Sequence, residues 1–347
     1  MNRNDQVEEL IREYSHSSHR IKTFVPKSQK LDYPSNITRY HYTSANALMA
    51  ILNTKGTGSG SLRFTDVRYM NDKSEHLIFV KRLLEYLQKH RNRFQFSNDV
   101  IGELLLKKHK EEEYITLSVP EIEPTNVSFF TFPLMRHYLF CMSSKDDSLH
   151  MWNYYVRNGN YQGYNIGISP HRLLRKFDNV EEADVFPLTF FCGDVLYKVK
   201  TQEKEIERLL EDIEGMGERL DHSEVAVGIC GVFLWEYIES YGLFYKDESF
   251  ENENEYRIVI QYDEALAEGK SIDTLLNNNN SIKMSYYERN GIIIPCLSVS
   301  FDINAVKQIT MSPMLESGIA VSSIKDFLFS NGYKNVAVKQ SAIPIRY

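Results

Sequence analysis

The sequence predicts an α+β fold, with strands and helices intermixed along the chain but not in strict βαβ alternation. Three observations carry this. ITRYHYT (37–43) and EYRIVI (255–260) are dense in β-branched and aromatic residues, the composition of strands. HLIFVKRLLEYLQKH (76–90) repeats apolar residues at helical spacing. The 347 residues are 42% hydrophobic and 25% charged, enough for a sizeable core.

In order along the chain, Val7, Leu10, Ile11 and Tyr14 fall at the i, i+3, i+4, i+7 positions of an amphipathic helix. Residues 15–34 are polar and broken by Pro26 and Pro34, so residues 1–36 read as a helix and a linker arm. The strand from Ile37 leads, through Thr43 and Ser44 as caps, into a helix whose Leu48, Ile51 and Leu52 face inward. GTGSGS (56–61) has the glycines of a phosphate loop, but it follows a helix and enters the strand SLRFTD, so it reads as a connection. Asn71, Asp72 and Glu75 then cap a long helix, and basic helical material continues to about residue 115. VSFFTF and YLFCMSS read as a strand pair, and DDSLHMWNYYV as a short helix capped by Asp146 or Asp147. YQGYNIGIS and PLTFFCGDVLYKV are further strands, and Glu203 to Glu239 is helical with a break at Gly215–Gly217. ENENEYRIVIQY, GIIIPCLSVSF, AVKQITMSP and NVAVKQ complete the strands, with LLNNNNS as a polar loop and VSSIKDFLFSNG as the last helix.

Totals exclude some classes of function. No run approaches the roughly 20 apolar residues of a membrane span, and the charged N-terminus is no secretory signal. Cys141, Cys192, Cys230 and Cys296 lack paired spacing, which argues against a zinc site or disulfide framework and for a reducing, cytoplasmic setting. The formal net charge of −7 does not suit a protein that coats nucleic acid. Locally, however, residues 81–110 hold eight Lys or Arg against three Asp or Glu, and residues 201–260 hold five against sixteen. The basic segment is either a solvated helix face or a surface that follows phosphates.

The motifs fall into a known order. His41-Tyr42-Thr43-Ser44, Asn71-Asp72-Lys73-Ser74-Glu75, Met151-Trp152-Asn153-Tyr154-Tyr155, Glu255-Tyr256-Arg257-Ile258 and Ser341-Ala342-Ile343-Pro344-Ile345-Arg346 resemble the motifs of a bacterial family of formerly unknown function. The resemblance spans residues 37–347 and implies one domain with a basic helical insertion at about 76–125. That family in turn resembles the ADP-ribosyltransferases of the His-Tyr-Glu type, which split NAD and pass ADP-ribose to an acceptor. A split, mixed or antiparallel sheet with flanking helices is the fold so implied. The acceptor is a macromolecule, RNA or protein, with the basic segment favouring RNA. Toxins and anti-phage effectors of this kind need a restraining antitoxin or regulatory protein.

Cleaving the nicotinamide–ribose bond develops an oxocarbenium-like cation, which demands a fixed negative charge beside the sugar. The resemblance assigns that charge to Glu255. Glu253, two residues earlier and on the same face if the segment is extended, orients the acceptor or takes its proton. Tyr155 stacks on the nicotinamide ring, with its neighbour Tyr154 as competitor, and Trp152 reads as core. His41 holds the adenosine ribose. Tyr42, standing where the transferases carry glycine, Thr43 and Ser143 complete the cofactor contacts. NAD is the one cofactor, consumed as substrate, and no metal is required. Two other classes compete. A metal-dependent nuclease would use Asp66 or Asp72 with Glu255, but it would want lysine where Arg257 stands. A module without turnover would bind a nucleotide or a partner and release no nicotinamide.

Overall fold

The computed structural model describes residues 21–24, 37–70, 75–106, 114–117, 127–130, 135–156, 162–178, 188–263, 281–315 and 317–344. The helix expected at 5–16, Asn71 and Asp72, the LLNNNN stretch and Arg346 lie outside them.

The first half runs β1 (Ile21–Phe24), β2 (Arg39–Thr43), α1 (Ala45–Leu52), β3 (Ser59–Asp66), α2 (Glu75–His90), α3 (Gln95–Leu106), β4 (Tyr114–Leu117) and β5 (Val127–Phe130). Next come β6 (Met135–Ser143), α4 (Leu149–Tyr155), β7 (Tyr164–Ile168), α5 (Pro170–Asp178), β8 (Leu188–Asp194), α6 (Val199–Arg219) and α7 (Glu224–Tyr241). The chain continues through β9 (Glu255–Asp263), β10 (Ile282–Arg289), β11 (Ile292–Asp302), β12 (Val306–Met311), α8 (Ser317–Ser330) and β13 (Ala337–Gln340). The fold is α+β, built on an open mixed sheet in which β1/β8 and β12/β13 are parallel and the other pairs antiparallel.

The strand order is β1-β8-β9-β6-β2-β7-β12-β13, and β6 is where the sheet forks. One side of β6 runs beside β9 from Met135 to Ser143. On its other side, Leu139 and Tyr138 pair with Thr65 and Asp66 of β3, whereas Ser143 pairs with Tyr40 of β2. β3 therefore leaves with β11 and β10 in one direction, and β2 with β7 in another. Between the two branches the backbone of β6 from Leu139 to Met142 forms the floor of a cavity.

Alternation along the strands feeds a core on each face. Tyr138, Phe140 and Met142 of β6 join Tyr256, Ile258 and Ile260 of β9 in one cluster, covered by Leu48 and Leu52 of α1, Leu173 and Phe177 of α5, and Ile324 and Leu328 of α8. Leu139, Val259 and Phe191 point the other way, to a cluster supplied by α2, α3, α6 and α7.

Several sequence expectations need correction. β5 pairs with β4 in a separate two-stranded ribbon, not with the YLFCMSS strand, and β4 lies where helix was expected to end. The arm contributes β1, an edge strand. The cap of α4 is Ser148, whose Oγ accepts from Met151 N–H. Helix α6 passes through Gly215 and Gly217 unbroken, and the break falls at Asp221 and His222, both at positive φ (52° and 47°). At Gly217 an added Cβ would lie 2.4 Å from the Phe96 ring, so this glycine lets α3 approach α6. β10 and α5 escaped the sequence reading.

The opposite charges of the two segments meet each other. Lys89 pairs with Glu203 at 3.5 Å, and Arg93 pairs with Glu207 and, at 2.5 Å, with Glu211. Glu214 accepts from both Ser97 N–H and Ser97 Oγ at 2.8 Å, placing a carboxylate on the first turn of α3. Lys89 and Arg93 of the basic segment thus face the acidic α6 rather than open solvent alone.

Candidate functional site

The cavity at the fork has a volume of about 360 Å³. β2 and α1 supply one wall, β3, β10 and β11 another, and the segment leading into β9 the end. His41, Tyr42, Thr43, Tyr155, Glu253 and Glu255 all line it. Ser143 and Tyr154 do not.

His41 and Glu255 are held to one residue. The His41 Nδ1–H donates to the Cys141 carbonyl at 3.0 Å, and the Cys141 thiol hydrogen-bonds Glu255. Burial pushes the imidazole below its ordinary range, partly opposed by that bond to Cys141. A neutral ring donating from Nδ1 carries its lone pair on Nε2. The ring lies 4.7 Å from that of Phe140.

Glu253 and Glu255 are not neighbours on an extended strand. Glu253 ends a 3-10 turn (Glu248–Glu253), and Asn254 reverses the chain in the left-handed region (φ 46°, ψ 51°), a conformation asparagine tolerates better than most residues. Both carboxylates are buried, and two buried cations answer their repulsion. Lys246 Nζ donates to Glu253 Oε2 at 2.6 Å and to Glu255 Oε2 at 3.1 Å. Arg257, fully buried, donates from Nη2 to Glu255 Oε2 at 2.9 Å and from Nη1 to the Leu243 carbonyl. Burial alone would raise the Glu255 carboxyl, but Arg257 and Lys246 overcome it and hold the group at about 2. The backbone N–H of Glu255 donates to Tyr197 OH at 2.9 Å, so the head of β9 is fixed by main chain and side chain alike.

Tyr155 donates its hydroxyl to Glu253 Oε1 at 2.5 Å, while the residue as a whole stays 45% exposed. Burial of the hydroxyl and the Glu253 charge raise its pKa, so the phenol keeps its proton. Tyr154 sits on the outside of α4, 66% exposed and against His150, and is misplaced as a cofactor contact. Ser143 is buried with its hydroxyl spent on the Glu253 carbonyl (2.7 Å) and on Lys145 N–H, so it shapes the Glu253 turn from outside the cavity. Tyr42 reaches the wall with its ring edge-on to Trp152, and its hydroxyl is engaged by the Lys145 carbonyl and Ser148 N–H. Trp152 is core, as expected. Asp147, expected as a cap, instead accepts from Trp152 Nε1, Ser341 Oγ and Ala342 N–H, tying the M-W and S-x-I-P stretches together.

Lys246, Cys141 and Tyr197 were missed by sequence reasoning. The signal for Lys246 was its place as a lone cation before the acid-rich run 247–255. As for the nuclease residues, Asp66 gives both oxygens to Arg68, at 3.0 and 2.7 Å. Among the described residues no group of three His, Cys, Asp or Glu is arranged around a metal position. Nor, among them, is any helix long and apolar enough to cross a membrane. No disulfide joins the four cysteines.

No curated protein and no solved structure matches the chain. The family described as "Protein of unknown function (DUF2971)" matches residues 151–258, a narrower stretch than the motifs suggested. Over those residues the chain is similar to that family, and they hold Tyr155, Lys246, Glu253, Glu255 and Arg257 but not His41 or the β3–β11–β10 wall.

Proposed function

We propose that the protein is an ADP-ribosyltransferase that consumes NAD and modifies a macromolecule. The observation that supports this most is the convergence of His41 and Glu255 on one cavity through their common neighbour Cys141. In this reading the bond between ribose C1′ and the pyridine nitrogen breaks, and its electron pair leaves with nicotinamide. Glu255, ionised at all physiological pH, faces the cationic sugar, with Arg257 and Lys246 fixing its orientation. Tyr155 offers its ring to the pyridinium. The acceptor nucleophile attacks C1′, and its proton passes to Glu253, the carboxylate already hydrogen-bonded to Tyr155. His41 Nε2 accepts from a ribose hydroxyl. A toxin or anti-phage role, restrained by a partner, accords with such an activity. The ion pairs of Lys89 and Arg93 weaken the case for RNA, so RNA and protein acceptors stand level.

The test incubates the protein with labelled NAD and separate pools of RNA, DNA and protein, beside Glu255→Gln. Label enters one pool with the parent, and the variant loses about 10²-fold or more, the scale of losing a principal electrostatic stabiliser. Equal labelling by both would remove Glu255 from the reaction. Absence of both label and nicotinamide release in every pool would refute the transferase.

A further inference from the structure

The cavity has a second chemical surface that the steps above leave unused. Leu62 and Phe64 of β3 and Val299 of β11 point to the core, so the alternate residues Ser61, Arg63, Thr65 and Ser298 face the hollow. β10 adds Tyr287 and Arg289, two apart and therefore on one face. The Arg63 guanidinium leans across β11 to lie 5.3 Å from the centre of the Tyr287 ring, which brings it to the strand that carries Arg289. Arg289 is steadied by donating from Nη2 to the Tyr69 carbonyl. Hydroxyls line the same face: Ser61 Oγ with Ser298 Oγ at 2.7 Å, and Thr65 Oγ1 with Tyr287 OH at 3.2 Å. Among the described residues neither guanidinium forms an ion pair with a carboxylate, unlike Lys246 and Arg257 nearby.

Two arginines line one cavity wall, Arg63 against the Tyr287 ring and Arg289 two residues along the strand from Tyr287. With hydroxyl donors and no carboxylate on that wall, they complement an anion with more than one charged centre. The planar guanidinium fork matches phosphate oxygens two at a time, and strands hold such groups more rigidly than loops do. We infer that Arg63 and Arg289 form a diphosphate subsite, with Tyr287 and Ser298 as hydroxyl donors. The identity of the natural ligand, the diphosphate bridge of NAD, rests on the proposed function; the preference for a diphosphate does not.

The test is calorimetric titration of the full chain with ADP, adenosine and inorganic pyrophosphate. ADP is expected to bind at least tenfold more tightly than adenosine, with pyrophosphate competing. Arg63→Gln and Arg289→Gln should each weaken ADP by about tenfold or more, while Lys81→Gln, which removes a surface charge paired with Glu85, leaves it unchanged. Equal binding of ADP and adenosine by the parent would overturn the subsite, as would ADP binding that survives both arginine substitutions or no binding of ADP and pyrophosphate at all. Arginine-dependent ADP binding without nicotinamide release keeps the subsite and discards the transferase. NAD turnover with arginine-independent ADP binding does the reverse.

Discussion

Replacing Lys246 with methionine should destabilise the protein in a pH-dependent way that reports on the buried carboxylates. The ammonium lies 2.6 Å from Glu253 Oε2 and 3.1 Å from Glu255 Oε2, with 5% of the residue exposed. Without it Glu255 keeps the Arg257 guanidinium, whereas Glu253 keeps only a neutral donor among the described side chains, the Tyr155 hydroxyl. Breaking a buried ion pair from one side costs about 3–5 kcal/mol, and that is the loss expected at pH 8. Lys246 is one of the two cations that hold Glu255 at about 2, so its loss raises the folded pKa of that carboxyl towards the unfolded value of about 4.3. A carboxyl depressed in the folded state contributes stability above its unfolded value and loses it as pH falls through the folded one. The variant therefore gives up part of that contribution, and its deficit against the parent shrinks below about pH 4. Urea unfolding should show the full deficit at pH 8 and 6 and a smaller one at pH 3, and Lys246→Met with Glu253→Gln should recover most of it at pH 8. A deficit below about 1 kcal/mol at pH 8, one unaltered by pH, or a double variant no better than the single would refute the buried bridge.

Two glycines in α6 should respond with opposite signs. Gly217→Ala drives a methyl into the Phe96 ring and should cost about 1–3 kcal/mol, whereas Gly215→Ala meets nothing within 4 Å and should gain about 0.5–1 kcal/mol from helix propensity alone. Thermal unfolding of both separates them, and a shared sign would show that Gly217 has no packing role. The His41 imidazole, pushed down by burial, should titrate below 6.5 by NMR; a midpoint at or above 6.5 would mean the ring is not neutral as argued.

Local chemistry made part of this legible from the chain alone. Ser44 caps α1 as its type and position predicted, and the β-branched run 255–260 forms β9. β10 was invisible because its sequence, IKMSYYER, sets charged and aromatic residues on a sheet face that lines a cavity, so no clean apolar alternation survives. Gly217 misled because a glycine placed for close packing looks in sequence like one placed to end a helix. His41 and Glu255 came from a resemblance, and no local pattern could have joined them. Lys246 was harder still. Its two partners lie seven and nine residues downstream, and only a 3-10 turn followed by left-handed Asn254 brings them back to it.

The short strand β1 has a consequence for anyone shortening the protein. By lying parallel against Phe190 to Gly193 it occupies the outer rim of β8. A chain begun at residue 37, where the motifs start, would leave that rim with bare amides and carbonyls, a ready template for a strand from another molecule. Trimming the apparent tail would exchange a four-residue border strand for the longer, seven-residue rim of β8, and clumping in such a preparation would say nothing about how the rest folds.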